Sequence, residues 1–353
     1  MTSVEAFCEG CRARIIAQIT EIVSRHGWNR PDLDRLVLDY PLRSAKALRP
    51  AICIAVARTF GATDAAVFPT AAVVELLHNA FLIHDDIEDQ SLLRRGEETL
   101  HKAHGAPIAI NVGDGMFALA VSSLLDNTEL LGVRVALEMF GAVSRMFHAT
   151  VEGQAIELGW IRENRCRFPR ADYRAAYEEM VLKKTAIYSF VIPVEIGCIA
   201  ADVPPPARQA LDRYARHLGI AFQIADDLLN LRVDVDAYGK ESLGDLWEGK
   251  RTLMLLHALA WESDPRKLER AEAILALPRP QSNVDGPVKT EADVALLKAV
   301  VDEHRGIAFA TEVAREHVTL ATAAFESVSS ELSAGPERDF LADLPRFVVE
   351  RLR

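Results

Sequence analysis

The sequence predicts an all-α fold, and three observations support this prediction. Apolar residues recur at three- and four-residue spacing along nearly the whole chain, which is the period of a helix that buries one face. Strand-like alternation bounded by turn residues is hard to find. Of the 353 residues, 50% are hydrophobic and 26% are charged. This composition is typical of a globular chain and excludes disordered and collagen-like classes.

Glycines, prolines and polar stretches divide the helical pattern into segments. The first predicted helix, 3–26, ends at His26-Gly27, and the second, 32–39, ends at Tyr40-Pro41. Gly96 follows the next two predicted helices, 44–60 and 65–91. The run Val203 to Pro206 follows three more, 106–125, 130–158 and 171–200. Tyr238-Gly239 follows predicted helix 207–231. The polar stretch Pro278 to Pro287 follows helices 251–262 and 266–276 and precedes the last two, 291–323 and 336–352. No linker separates two cores, so we expect one domain over 1–353, with a flexible loop at 277–290.

Charge and cysteine usage exclude several functional classes. The net charge is −11, which argues against a dedicated nucleic-acid binder and a polybasic membrane-surface protein. No uncharged stretch approaches the roughly 18–20 apolar residues of a membrane span, so we expect no span and a cytoplasmic location. Five cysteines fit free thiols better than a disulfide framework.

One segment of the sequence recurs 141 residues later. Residues 79–89 read NAFLIHDDIED and residues 220–230 read IAFQIADDLLN, with five identical positions that include a paired Asp-Asp. The repeat indicates two equivalent helices, each of which ends its apolar run with carboxylates.

The first acidic motif has the donors of a magnesium site. Asp85 and Asp89 are four residues apart and therefore share a helix face, with Asp86 and Glu88 beside them. Mg²⁺ prefers such oxygen ligands and shares its shell with substrate phosphates. In the second motif, Asp226 and Asn230 have the same spacing. Basic residues supply the phosphate-binding half of a diphosphate site. They are Lys46, Arg49, Arg94, Arg95, Lys183, Lys184, Lys240 and Lys250.

These motifs, in this order, resemble those of the trans-isoprenyl diphosphate synthase (polyprenyl synthetase) family. The resemblance runs from about Arg43 to Lys250. Its motifs are the segment Ser44 to Pro50, His78, the aspartate-rich motif Asp85 to Asp89, Arg94-Arg95-Gly96, Thr99 to His101, Gly153-Gln154, Lys184-Thr185, Phe222-Gln223, Asp226-Asp227, Gly239-Lys240 and Gly244 to Lys250. The sequence departs from the family pattern at Ser44-Ala45, Ala47, Glu157 and Asn230.

The resemblance implies an isoprenoid-synthase-type helical bundle around a deep central cavity, usually as a homodimer. It implies that Asp85, Asp89 and Asp226 hold about three Mg²⁺ ions on the diphosphate of an allylic substrate. Arg94, Lys184, Lys240 and Lys250 would complete that diphosphate site. Lys46, Arg49, His78 and Arg95 would bind isopentenyl diphosphate.

The implied reaction is head-to-tail prenyl transfer. The allylic diphosphate ionises, the double bond of isopentenyl diphosphate attacks the carbocation, and a proton is lost to the released diphosphate. The carbonyl oxygen of Lys184 and the side-chain oxygens of Thr185 and Gln223 would stabilise the cation. These three residues are therefore the expected catalytic residues.

The product and two rival functions are also addressed by the sequence. Small Ala80 beside large Phe81, one turn before Asp85, favours geranylgeranyl diphosphate, unless Phe81 only packs in the core and another helix sets the length. One alternative is a terpene cyclase on the same fold, which would not need the residues of the isopentenyl site that are present here. The other is a non-catalytic partner subunit, which would tolerate loss of the aspartates that are present here.

Overall fold

The computed structural model describes residues 2–231, 243–280 and 286–350, and it is helical over most of this length. The helices are α1 Ser3–His26, α2 Pro31–Leu42, α3 Leu48–Thr59, α4 Asp64–Glu88, α5 Leu100–His104, α6 Ala106–Leu130, α7 Val133–Arg162, α8 Tyr173–Val181, α9 Ile192–Ala200, α10 Pro205–Leu231, α11 Gly244–Glu248, α12 Leu253–Trp261, α13 Pro265–Leu275, α14 Glu291–Glu303, α15 Gly306–Glu326 and α16 Pro336–Glu350. A π-helix, Leu182–Val191, joins α8 to α9, and a 3₁₀ turn covers Ser329–Glu331. The all-α prediction is confirmed.

The sequence did not predict four short elements and one helix break. Strands β1 (Leu93–Arg94) and β2 (Glu97–Glu98) form a small antiparallel hairpin, and the short helices α5 and α11 lie where no helix is predicted. The predicted helix 291–323 is interrupted after Glu303, where Arg305 takes a positive φ of 54°. Gly306 then starts α15, and a Cβ there would lie 2.7 Å from the Met254 carbonyl oxygen.

The chain forms two compact units. Unit 1 comprises residues 1–147, 187–216 and 320–347, and unit 2 comprises residues 148–186, 217–319 and 348–353. In unit 1, α3 packs against α4 and α9, and α4 packs against α6. The approach of α9 to α3 requires Gly197, because a Cβ there would lie 2.7 Å from the Cys53 carbonyl oxygen. In unit 2, α12 packs against α8 and α14. The single-domain architecture and the central cavity stay predictions.

Two helices of unit 1, α4 and α6, are long and apolar enough to cross a membrane. Of their most apolar windows, 78% is buried in α4 and 50% in α6. Helix α4 packs against α1, α3 and α6 and is mostly buried, as the core helix of a globular protein is. Its length and composition are therefore weak evidence for a membrane span. The expected absence of a span and the cytoplasmic location stay predictions.

The predicted flexible loop at 277–290 stays a prediction, since residues 281–285 lie outside the described residues. Its last part contains a buried side chain, Lys289. Lys240 also lies outside the described residues, within 232–242.

Candidate active site

The two aspartate pairs occupy the C-terminal ends of α4 and α10, as the internal repeat predicts. In unit 1 the i, i+4 spacing of Asp85 and Asp89 is helical, because the Asp89 N–H donates to the Asp85 carbonyl oxygen at 2.8 Å. Asp89 is the C-cap of α4. Both carboxylates are half-buried at the helix end, where oxygen ligands fit a hard divalent cation.

The second aspartate of the first pair is a buried structural group. Asp86 accepts a hydrogen bond from the Tyr40 hydroxyl at 2.6 Å and from Arg94 Nε at 3.0 Å, and Arg94 Nη2 also bonds to it. Burial by itself lowers the pKa of Arg94, but Asp86 raises it overall. Burial and then Asp86 raise the pKa of Tyr40. Arg94 therefore remains charged, and in this structure it holds the end of α4.

Asp227 repeats this arrangement in unit 2. The Tyr177 hydroxyl donates to Asp227 at 2.6 Å, and Gln223 Nε2 donates to it at 2.7 Å. Burial, and next the charge of Asp245, raise the pKa of Asp227 to about 7. In each motif, then, a tyrosine hydroxyl binds the second aspartate. The first aspartates, Asp85 and Asp226, are half-buried. Neither tyrosine is predicted by the sequence, because Tyr40 lies on α2 and Tyr177 on α8, outside the repeat.

The β1–β2 hairpin places Arg95 beside α4. Arg95 and Gly96, the two residues of the turn, both have positive φ, which is typical of a tight hairpin turn. Arg95 Nη1 donates to the Tyr40 carbonyl oxygen at 2.7 Å and contacts Asn79 Oδ1 at 3.4 Å. Arg43, for which the sequence predicts no role, donates to carbonyl oxygens of both strands and so fixes the hairpin.

Arg49 and His78 form the other part of this basic cluster in unit 1. Arg49 Nη2 donates to Ser189 Oγ at 2.8 Å, and its guanidinium lies over the Tyr188 ring, against which His78 stacks. Burial lowers the pKa of His78 well below its ordinary value, and the charges of Arg49 and Arg95 lower it further. His78 is therefore neutral at pH 7, and its buried Nδ1 has no partner among the described residues.

Lys46, which the sequence places with this cluster, is exposed and pairs with Glu5 at 3.0 Å. Its Nζ also lies 5.0 Å from the centre of the Phe347 ring. The contacts of Lys46 thus differ from those of Arg49 and His78, and the structure does not join it to them.

In unit 2 the π-helix carries Lys184 and Thr185. Lys184 is ion-paired with the buried carboxylate of Glu157, and Thr185 is buried. The close approach of α7 requires Gly153, since a Cβ there would overlap with the Lys184 backbone nitrogen. A π-helix is rare and is often found at functional sites. Gly153, predicted as part of a motif, thus has a packing role.

The loop that carries Lys250 is fixed by Asn230. Asn230 Oδ1 accepts the Asp245 N–H at 2.9 Å, and the Asn230 carbonyl accepts the Leu243 N–H. Lys250 Nζ lies 3.7 Å from an Asp245 carboxylate oxygen and 3.5 Å from Glu248. The departure from the family pattern at Asn230 is therefore compatible with an ordered loop, because an amide oxygen suffices to accept this bond.

A comparison with known protein families shows which family this site belongs to. The family model "Polyprenyl synthetase" matches residues 32–286, which include both aspartate pairs. The chain belongs to the polyprenyl synthetase family. It is a trans-prenyltransferase of the kind that elongates prenyl chains, and the predicted family and enzyme class are confirmed.

Relatives of this synthase differ in product length. The chain is 32% identical to the short chain isoprenyl diphosphate synthase of Methanothermobacter thermautotrophicus, over 87% of this chain and 86% of the relative. It is 33% identical to the octaprenyl diphosphate synthase of Escherichia coli over 61% and 62%. It also matches the structure of a polyprenyl synthase from Caulobacter crescentus CB15 complexed with calcium and isoprenyl diphosphate. The TM-score is 0.81, the identity 29%, and the alignment covers 99% of this chain and 98% of that chain.

Proposed function

We propose that this synthase condenses isopentenyl diphosphate with an allylic diphosphate in a Mg²⁺-dependent reaction and forms geranylgeranyl diphosphate. The observation that carries the proposal is the basic cluster of unit 1. The hydrogen bonds described for Arg49 and Arg95 go to neutral hydroxyl, carbonyl and amide oxygens, and His78 beside them is neutral. Glu75 offsets part of the charge of Arg95. Two guanidiniums with neutral partners suit a diphosphate, which provides the missing negative charge.

The allylic substrate is assigned to the aspartate motifs. Asp85, Asp89 and Asp226 are the proposed ligands of about three Mg²⁺ ions, because their carboxylates are hard oxygen donors at helix ends. When bound, the ions would neutralise the departing diphosphate. Lys184 and Lys250 are proposed to bind that diphosphate, and Lys240, outside the described residues, is assigned with them. Arg94 is proposed to serve this site through its bond to Asp86.

The carbocation is proposed to form beside the π-helix. The Lys184 carbonyl, the Thr185 hydroxyl and the Gln223 amide oxygen are the dipoles assigned to stabilise it. Gln223 Nε2 donates to Asp227, so this bond turns the amide oxygen away from Asp227. Dipoles fixed in advance stabilise a cation without the cost of reorganisation.

Product length is proposed to depend on an aromatic cluster in unit 1. Ala80 is fully buried, and the Phe81 ring lies 5.6 Å from the ring centres of Phe117, Phe147 and Tyr188. Rings held on several sides are poorly able to move aside, so Phe81 would stop the growing chain after a limited number of isoprene units.

The test incubates the purified protein with Mg²⁺, labelled isopentenyl diphosphate and farnesyl diphosphate, followed by chromatography of the dephosphorylated product. A twenty-carbon linear alcohol is expected. A cyclic hydrocarbon without a longer prenyl diphosphate would identify a terpene cyclase and refute the proposal. Absence of any turnover would favour the non-catalytic subunit.

We further propose that the protein is a homodimer through an exposed apolar surface of unit 1. The side chains of Leu125, Leu130, Val133, Leu137 and Phe140 on α6 and α7 are between 39% and 63% exposed. Several large apolar side chains exposed on two consecutive helices are more than a soluble monomer needs, and such exposure is typical of an interface. Sedimentation equilibrium should give twice the 39.0 kDa chain mass, and Leu137→Glu should give the chain mass. An unchanged mass in the variant would place the interface elsewhere.

A further inference from the structure

A buried lysine lies beneath the turn that carries Lys250. Lys289 is only 2% exposed, although lysine is among the residues least often buried. Its Nζ donates to the Trp247 carbonyl oxygen at 2.9 Å, and its backbone N–H donates to the Pro278 carbonyl oxygen at 2.9 Å. Lys289 thereby joins the segment before α14 to the end of α11.

The turn itself has little room for change. Gly249 ends α11 with a φ of +75°, and a Cβ there would lie 3.0 Å from Lys289 Nζ and 3.2 Å from Arg251 Nη1. Arg251 is also buried, donates to the Gly249 carbonyl and donates to Asn164 Oδ1 at 2.7 Å. Two buried cations therefore bind two carbonyl groups of the turn, those of Trp247 and Gly249.

Lys250 extends from this fixed backbone. Its N–H donates to the Asp245 carbonyl oxygen at 2.8 Å, which closes the turn around α11. Its side chain is 21% exposed, whereas Lys289 is enclosed. Burial, and next the charge of Arg251, lower the pKa of Lys289 to about 8. An enclosed cation is costly, so its retention under this turn calls for a role.

We propose that Lys289 is a positioning residue that acts through Lys250, by holding the Trp247 carbonyl so that the Lys250 ammonium is preset for a diphosphate. The inference rests on the proposed function, which assigns the allylic diphosphate to Lys250. A flexible lysine that is preset loses less conformational entropy when it binds, so removal of the support weakens binding.

The test compares Lys289→Met with the wild type in two measurements. Calorimetric titration with inorganic pyrophosphate and Mg²⁺ should give a dissociation constant about ten-fold higher, as expected for loss of one charge-assisted hydrogen bond. In turnover, the KM for farnesyl diphosphate should rise about as much, while the KM for isopentenyl diphosphate stays within about two-fold. Lys298→Met is the matched control on α14, since Lys298 pairs with Asp302. It should leave all three constants unchanged.

Lys289→Arg separates positioning from a purely structural role. It keeps a charged donor and should restore tighter pyrophosphate binding than Lys289→Met, including when both variants melt below the wild type. Wild-type pyrophosphate affinity in Lys289→Met would overturn the inference. If Lys289→Met does not fold, Lys289→Arg decides. Wild-type pyrophosphate affinity in Lys289→Arg supports the inference. A folded Lys289→Arg variant that binds both farnesyl diphosphate and isopentenyl diphosphate about ten-fold more weakly overturns it. Failure of the wild type to form any prenyl diphosphate would instead refute the proposed function.

Discussion

The adjacent carboxylates Asp85 and Asp86 should respond in opposite ways to the same substitution. Asp86→Asn removes a buried charge that binds Tyr40 and Arg94, and it leaves the Arg94 guanidinium, 12% exposed, with the weaker contact to Asp85 at 4.0 Å. Breaking a buried ion pair by removing one partner costs about 3–5 kcal/mol. Asp85→Asn removes a half-buried carboxylate that lies 4.0 Å from Arg94, so the cost to stability should be below about 1 kcal/mol.

These values translate into melting temperatures that can be measured. With about 2.1 cal/mol/K of unfolding entropy per residue, 353 residues give about 0.7 kcal/mol/K. Asp86→Asn should therefore lower Tm by about 4–7 °C, and Asp85→Asn by less than about 2 °C. In a Mg²⁺ titration of prenyl transfer, Asp85→Asn should raise the Mg²⁺ requirement at least about ten-fold. Asp86→Asn should change it less.

Differential scanning fluorimetry and the radiolabelled transfer assay measure both effects. Asp89→Asn is a useful control, since Asp89 shares the proposed metal role without the buried bonds of Asp86. If Asp86→Asn melts with the wild type while Asp85→Asn melts several degrees lower, the roles assigned from the hydrogen bonds are reversed and the reasoning is wrong.

Three further predictions follow from packing and from titration. Phe81→Ala should shift the product mixture toward chains longer than twenty carbons in thin-layer chromatography, because the stop to chain growth is removed; an unchanged mixture would assign product length to another helix. Gly153→Ala should lower the urea midpoint by an amount that corresponds to about 1–3 kcal/mol, since the π-helix backbone must move, whereas Gly159→Ala, with open space around it, should not. Burial, and then His317, lower the pKa of His217 below 6.5. Its contribution to stability is present above that value and is lost as pH falls through the lower folded pKa. The free energy of unfolding of His217→Gln should therefore fall less than that of the wild type between pH 7 and 5. An equal fall in both proteins would show that His217 does not cause the loss of stability.

The sequence predicted the helical class, the ends of most helices and the chemical type of the site. Apolar spacing is a local property, so α4 and α10 could be recognised together with the acids at their ends. The order of the motifs was sufficient for the family, which the comparison with known proteins confirmed. The sequence also predicted the motif Gly153-Gln154 within a helix, although the close approach of the Lys184 backbone to Gly153 is visible only in the structure.

The partners of each charged group depended on distant segments and could not be predicted. Tyr40 comes 46 residues before Asp86, and Tyr177 comes 50 residues before Asp227. The same limit applies to Lys289, which lies 42 residues after Trp247. A lysine in a polar stretch predicts a solvated surface, and only packing reveals burial.

By itself, the sequence determined which residues can do the chemistry, since carboxylates, guanidiniums and their spacing along a helix are encoded locally. The tertiary structure decided which of two neighbouring aspartates binds a buried tyrosine. It also decided that Lys46 forms an ion pair with Glu5 and that Lys289 is enclosed. The physical reason is that desolvation and hydrogen bonding depend on atoms brought together by packing, and these forces assign different roles to side chains of the same type.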